Sequence, residues 1–306
     1  MIILIPIGGI GNRFKKEGFQ TPKALIEVEG KPIIFHLIDN LKINNKISFI
    51  YIPYNKEYVS YDFENIIKNK YPHYKFKFLI LQNQTRGAAE SIFVALNKLF
   101  SDSIQYPIPI HEMKGRFDKP ILCLDSDNFY LEDIISHWHG KNTIFTFLSK
   151  SENPIFSYVN YDSNEILTNI VEKNKISNDA CCGAYGFRSY YELMKYCKKI
   201  INNNKTQLGE FYTSGIIKEM INDKIIFKNI NIQNKNFYSL GTPNQIKIFN
   251  QTFLLDLDGT LVNTDPIYLK VWCQILKNYN INCNKNIFDS FIKGNSDIGF
   301  LKFLIP

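Results

Sequence analysis

The sequence predicts an α/β fold built on a mixed, mostly parallel sheet, and three observations carry that prediction. Short, continuous apolar runs of strand length alternate with segments of helical periodicity as far as Leu124, the pattern of parallel strands covered on both faces. A glycine-rich turn leaves the first of these runs directly. Of the 306 residues, 45% are hydrophobic and 21% charged, which excludes disordered, collagen-like and coiled-coil chains.

The elements follow in order. Ile2–Ile7, Ile47–Pro53, Phe76–Leu81 and Ile121–Leu124 read as buried strands, because each is a short apolar run. Pro32–Leu41, Tyr54–Lys70 and Ala88–Leu99 read as the helices between them. From Thr143 the texture changes to shorter strand-like pieces, namely Thr143–Leu148, Ser157–Tyr161, Ile166–Glu172 and Gly183–Arg188. Helices are expected at Tyr190–Ile201 and Gly209–Ile221. A boundary falls near Phe249–Thr252, which divides the chain into a domain of residues 1–250 and a segment of residues 251–306. The segment opens with a new apolar strand, Phe253–Asp258, followed by a helix from Pro266 to about Lys277. Asn-rich stretches at Asn202–Lys205 and Asn278–Asn286 read as loops, and there is no internal repeat.

Charge and cysteine usage narrow the partners. Lys+Arg 36 against Asp+Glu 29 gives a net charge of +7, and residues 251–306 hold five Lys and five Asp, so the whole excess lies in residues 1–250. The basic residues are scattered rather than clustered in a stripe, so nucleic acid is not expected as a partner, whereas an anionic substrate is compatible. Six cysteines without a CxxC pair suit neither a zinc site nor a disulfide framework and point to a reducing compartment. The N-terminus MIILIPIGGIG has no basic n-region, and no stretch approaches the ~20 apolar residues of a membrane span. A cytoplasmic protein without a membrane partner is the expectation.

The segment Gly8-Gly9-Ile10-Gly11-Asn12-Arg13-Phe14 carries the chemistry. Three glycines in four positions let successive backbone N–H groups converge on an anion. The dinucleotide pattern G-x-G-x-x-G fails at Phe14, and no Gly-Lys-Ser/Thr follows to make a P-loop. Arg13 offers a planar fork and Lys23 a compact ammonium, a pair suited to a triphosphate and a second phosphorylated substrate. Gly8-Gly9-x-Gly11-x-Arg13-Phe14, Pro22-Lys23-Ala24-Leu25 and Val28-x-Gly30-Lys31-Pro32-Ile33 together resemble the signature of the sugar-phosphate nucleotidyltransferase family. The resemblance implies a Rossmann-like nucleotidyltransferase domain for residues 1–250.

It continues downstream. Gln84-Thr85-Arg86-Gly87-Ala88-Ala89 is similar to that family's second loop, where the Gln side chain and backbone groups beside the Gly read the base; Gly87 and Ala88 are small enough for a planar base to lie against them. Leu124-Asp125-Ser126-Asp127-Asn128-Phe129 puts two carboxylates two residues apart at a strand end, pointing to one side. Mg²⁺ usually binds by one or two carboxylates plus substrate phosphates. The resemblance assigns Asp127 to the metal with Asp125 as helper. Ser239, in Tyr238-Ser239-Leu240-Gly241-Thr242, stands where the family often has a second metal-binding aspartate, and a hydroxyl is a poorer Mg²⁺ ligand. The stretch from Val171 to Phe187 resembles the acceptor-binding region, which implies Lys173 over the acceptor phosphate and Gly183 at a close backbone approach. Glu210 matches a position facing the sugar or alcohol.

The activity so implied is transfer of a nucleoside monophosphate from a nucleoside triphosphate, with a pyrimidine favoured, to a sugar phosphate or related phosphorylated alcohol. Pyrophosphate leaves, and Mg²⁺ is the cofactor. Asp125-x-Asp127 also fits a metal-dependent glycosyltransferase, although a diphosphate sugar does not need the glycine loop. Ser239 leaves room for a degenerate nucleotide-binding subunit without turnover. His137-Trp138-His139 reads as a pair of solvent-facing histidines rather than a metal site.

The last segment carries a second resemblance. Phe253-Leu254-Leu255-Asp256-Leu257-Asp258-Gly259-Thr260 is similar to the first motif of the haloacid dehalogenase-like hydrolases. That implies a nucleophilic Asp256, which forms an aspartyl-phosphate, and Asp258 as general acid/base. The helix after it and Ile292-Lys293-Gly294-Asn295-Ser296 resemble the start of a helical cap. The family's later Ser/Thr, Lys and acidic residues do not occur before Pro306, so the expectation is a partial, inactive haloacid dehalogenase-like segment.

Overall fold

The structure, a computed structural model, describes residues 1–103, 119–250, 257, 261–294 and 297–304. The chain divides into two compact units, Met1–Asn250 and Gln251–Pro306.

The first unit is built on one large sheet. Its parallel half contains β1 (Ile2–Leu4), β4 (Phe49–Asn55), β5 (Phe76–Leu81) and β6 (Ile121–Leu124), in the order β5-β4-β1-β6. Beyond β6 the sheet turns antiparallel through β11 (Asp179–Phe187), which pairs with β9 (Ser157–Tyr161) and with β8 (Thr143–Leu148). β10 (Leu167–Glu172) joins β9, and β12 (Lys228–Asn231) joins β8 in parallel. Two small ladders stand apart: β2 (Glu27–Val28) with β3 (Lys31–Pro32), and β7 (Asn128–Tyr130) with β13 (Phe237–Ser239).

Period-2 geometry explains why the central runs are continuously apolar. Ile3, Leu122 and Leu124 enter one core, while Ile2, Leu4, Ile121 and Cys123 enter the other. The first core is covered by the helices Ile33–Asn40 and Phe63–Lys70, through Ile34, Leu37, Ile38, Phe63 and Ile67. The second is covered by Ala88–Ser103, Tyr190–Asn202 and Thr213–Asn222, through Ile92, Leu96, Leu193, Ile216 and Met220. Burying one such side chain contributes about 1.5–3 kcal/mol.

Several expectations need correction. Tyr54–Lys70 is not one helix: Tyr54 and Asn55 finish β4, a 3₁₀ turn runs Lys56–Tyr61, and the α-helix starts at Phe63. The Asn55 side chain accepts the Glu57 N–H at 3.1 Å and starts the turn, and Asp62 at φ 53° separates it from the helix. The helix expected from Gly209 starts at Thr213, because Gln207 and Glu210 bridge each other first. β11 begins at Asp179 rather than Gly183, with a register shift between Cys181 and Tyr185. β7, β12 and β13 have three or four residues each and were not expected as strands.

In the second unit the helix Asp265–Lys277 places Trp272 and Leu276 against Phe288 and Ile292, and Phe300 of the helix Asp297–Leu304 completes a small core. The Trp272 and Phe300 rings meet edge to face at 5.0 Å. Apart from Leu257, the expected strand Phe253–Asp258 lies outside the described residues, as do Asp256, Asp258, Asn295 and Ser296. Among the described residues no helix is long and apolar enough to cross a membrane.

Candidate active site

β1 sits between β4 and β6, so the connections from its two sides diverge there, and ligands of open α/β sheets bind in such a crevice at the carboxyl ends of the strands. Gly8–Gly11 follows the end of β1 and Asp125 follows the end of β6. Between them opens a cavity of about 770 Å³. Of the candidates in the first unit, Gly8, Gly9, Gly11, Arg13, Lys23, Gln84, Gly87, Ala88, Asp125, Asp127, Lys173 and Glu210 line it. Gly183 does not.

Each glycine has its own reason. A Cβ on Gly8 would run into Ser91 Oγ and Thr85 Oγ1, so the first loop closes onto the start of the helix Ala88–Ser103. Gly11 has φ 66°, and its carbonyl accepts the Phe14 and Lys15 N–H groups at 2.9 and 3.1 Å to open the short helix Asn12–Lys16. That helix holds Arg13 exposed at the cavity. Lys23 begins a 3₁₀ turn fixed by the buried Tyr58, whose hydroxyl accepts the Ala24 N–H at 3.1 Å. From there the Lys23 ammonium reaches across the cavity to an ion pair with Asp127.

On the second loop, Gln84 is exposed at the cavity. Gly87 owes its lack of a side chain to the protein itself: at φ 139° a Cβ would lie 2.5 Å from the Phe211 carbonyl oxygen and 2.7 Å from its nitrogen. Phe211 donates to the Arg86 carbonyl and accepts from the Ala89 N–H, each at 2.9 Å. Arg86 stacks on the Phe211 ring at 4.7 Å and pairs with Glu90 at 2.6 Å.

Asp125 and Asp127 meet at the cavity floor. The Asp125 N–H bonds the Gly183 carbonyl at 2.8 Å, and a Cβ on Gly183, whose φ is 80°, would lie 2.6 Å from Asp125 Oδ2. Gly183 therefore backs the aspartate instead of facing the cavity. Burial, reinforced by the like charges of Asp127 and Glu172 and opposed by Lys23, pushes the Asp125 carboxyl well above the usual range. Gly241 lines the cavity against Asp127, where a Cβ would lie 2.7 Å from its Oδ2. Ser239 lies on β13 opposite Asn128 and does not line the cavity. Asn128 does line it, and its buried Oδ1 has no hydrogen-bond partner.

On the far side, Lys173 adopts φ 47°, and its ammonium donates to Tyr212 Oη at 2.6 Å while lying 4.6 Å from that ring's centre. Beside it, Glu172 Oε2 accepts from the Ser157 and Ser214 hydroxyls, the latter at 2.8 Å. Tyr212 and Asn128 line the cavity without having been singled out from the sequence. Tyr212 adjoins the matched Glu210, whereas the Asn128 oxygen is revealed only by its missing partner. His137 lies elsewhere, with its side chain 47% exposed and Nδ1 3.9 Å from Glu132. Among the described residues no cluster of three or more His, Cys, Asp or Glu side chains could hold a metal.

No protein-family profile matches the chain. It is 24% identical over 263 residues to the bifunctional protein GlmU of Methanococcus vannielii, an alignment covering 84% of this chain and 56% of that relative, so it spans little more than half of the longer protein. In structure it resembles the nucleoside-diphosphate-sugar pyrophosphorylase of Vibrio cholerae RC9, with a TM-score of 0.66, 19% identity, and 81% of this chain and 99% of that one covered. It likewise resembles the CTP:phosphocholine cytidylyltransferase of Streptococcus pneumoniae, with a TM-score of 0.62, 15% identity, and 81% and 97% covered. Over about four fifths of its length, this chain has the mixed α/β fold of the sugar-phosphate nucleotidyltransferases, with a mostly parallel sheet at its centre.

Proposed function

We propose that residues 1–250 transfer a nucleoside monophosphate from a nucleoside triphosphate to a sugar phosphate or related phosphorylated alcohol, releasing pyrophosphate. One observation carries the reading: a single cavity is lined by a glycine loop, two basic side chains, a base-sized loop, two carboxylates and, opposite them, Lys173. The shared fold of a nucleoside-diphosphate-sugar pyrophosphorylase and a CTP:phosphocholine cytidylyltransferase supports it.

The reaction asks little of the protein beyond placement and charge. An acceptor phosphate is already ionised at neutral pH, so its oxygen attacks the α-phosphorus without a general base. Arg13, Lys23 and the N–H groups of the glycine loop receive the charge that gathers on the departing pyrophosphate. Gln84 and the backbone at Gly87 and Ala88 hold the base, with a pyrimidine preferred. Lys173 and Glu210 hold the acceptor.

The donor set suits Mg²⁺. Asp125 and Asp127 present hard carboxylate oxygens, and Asn128 Oδ1 is a buried oxygen without a partner. These three would hold the ion together with phosphate oxygens, Ser239 taking no part. Charge neutralisation at the triphosphate is the chemistry that bound Mg²⁺ supplies.

Incubation with Mg²⁺, each nucleoside triphosphate and a panel of sugar and alcohol phosphates tests the proposal. Pyrophosphate release with one combination is expected, and none with any combination would overturn it. Free nucleoside diphosphate from a nucleotide sugar would indicate a glycosyltransferase instead. For residues 251–306 we propose a haloacid dehalogenase-like segment in which Asp256 is the nucleophile and Asp258 the acid/base. Because the family's later Ser/Thr, Lys and acidic residues do not occur among these 306 residues, no phosphatase activity is expected of them, and activity that Asp256→Ala abolishes would overturn that expectation.

A further inference from the structure

We propose that Tyr212 positions the acceptor-binding Lys173 and that the segment Glu210–Tyr212 couples it to the base-reading loop, so that the two substrates are sensed by one piece of backbone. The inference rests on the reading of the site given above and extends it to a residue with no assigned role.

Two sets of contacts meet in this segment. On one side, Phe211 is clamped to the base-reading loop, donating to the Arg86 carbonyl and accepting from Ala89, each at 2.9 Å. Gly87 presses on the Phe211 backbone so closely that a Cβ would stand 2.5 Å from its carbonyl oxygen, and the Arg86 guanidinium covers the Phe211 ring at 4.7 Å. A shift of this loop therefore moves Phe211. On the other side, the next residue fixes Lys173. Its phenol oxygen accepts the Lys173 ammonium at 2.6 Å, and its ring lies 4.6 Å from the same nitrogen. A free lysine side chain samples many rotamers, and this double contact restricts them before any phosphate arrives. Lys173, directly after β10, also has φ 47°, a left-handed backbone conformation.

Tyr212 stands at the N-cap position of the helix Thr213–Asn222, whose next residues, Thr213 and Ser214, are buried. The helix anchors it from behind. The path Gly87–Phe211–Tyr212–Lys173 joins the two halves of the cavity. Nucleotide held at Gln84–Ala88 then fixes Phe211 and with it the ammonium that meets the acceptor.

The test separates positioning from folding and from turnover. Tyr212→Phe keeps the ring and removes the hydrogen bond to a charged group. Its expected effect is a rise of about tenfold or more in the acceptor KM, with kcat and the triphosphate KM changed by less than about twofold. Gly87→Ala, which does not touch the acceptor, is expected to raise the acceptor KM as well as that of the triphosphate. A binding arm uses isothermal titration of glucose 1-phosphate into the full chain, with and without CTP and Mg²⁺. Wild-type affinity is expected to rise with nucleotide present, and Tyr212→Phe to bind more weakly while melting at the wild-type temperature. Equal binding by wild type and Tyr212→Phe, or no binding by either, overturns the proposal. A wild-type protein that binds but releases no pyrophosphate overturns only nucleotidyl transfer, because the binding arm still decides the role of Tyr212.

Discussion

At the scale of single residues, the cavity owes its shape to glycines that the protein crowds from behind. Gly183 is the clearest case: a methyl group there would meet Asp125 Oδ2 and Asn128 Nδ2 at a φ of 80°. Gly183→Ala is expected to cost about 1–3 kcal/mol of stability and to push Asp125 off the cavity floor, which thermal melting and the rate of pyrophosphate release together would register. Lys23→Ala should act chiefly on the rate, with some loss of stability from the Asp127 carboxylate it leaves unpaired. Hydrogen bonds to charged groups are worth roughly 1.5–3 kcal/mol, so its loss lowers pyrophosphate release by about 10- to 150-fold, read in an initial-rate assay. The sequence displayed these residues because glycines and basic side chains stood at recognisable spacings. It could not show that Gly87 also makes room for Phe211, since a contact across more than a hundred residues leaves no local trace. It was silent on Tyr212 for a similar reason, as an aromatic beside a matched glutamate reads equally well as core.

At the scale of elements, strands were legible where both faces are buried. Ile121–Leu124 and Phe76–Leu81 were read within their observed bounds, because continuous apolar runs of that length have few other uses. β12, with the sequence KNIN, and β13, with FYS, are too short and too polar to show a period, and pairing with β8 and β7 alone makes them strands. Helices fared better in their interiors than at their starts, as Phe63 and Thr213 show. The helix Thr213–Asn222 also carries a charge device invisible in one dimension. Glu219, 8% exposed, accepts Lys205 Nζ at 2.8 Å on both oxygens and has Lys199 at 3.4 Å. The Lys205 ammonium, with Lys199 behind it, holds the Glu219 carboxyl below its ordinary value of 4.5, against the effect of burial. A depressed folded-state value stabilises the protein fully above pH 4.5 and ceases to do so as pH falls through the folded value. Glu219→Gln is therefore expected to lower stability at pH 7 by about 1 kcal/mol, and urea titrations at descending pH should show the gap to wild type closing below pH 4.5.

At the scale of the whole molecule, the chain is two units with separate cores. Every member of the two large hydrophobic clusters belongs to Met1–Asn250, while Trp272, Leu276, Phe288, Ile292 and Phe300 form their own. A protein ending at Asn250 should keep its rate of pyrophosphate release within about a factor of two, and a fall well beyond that would show that Gln251–Pro306 supports the site. The +7 charge lies wholly in the unit that holds the cavity. Within that unit, β13 closes on β7, Leu240 donates to the Asp127 carbonyl at 2.7 Å, and Tyr238 and Phe249 pack on Phe129 at 4.9 and 5.8 Å. The acidic floor is thus fastened by residues made more than a hundred codons after it. During synthesis Gly8–Gly11, Gln84–Ala88 and Lys173 precede Phe237–Phe249, so Asp127 and Asn128 acquire their backing last. A nascent chain held short of that stretch would carry Asp127 and Asn128 without β13 against β7.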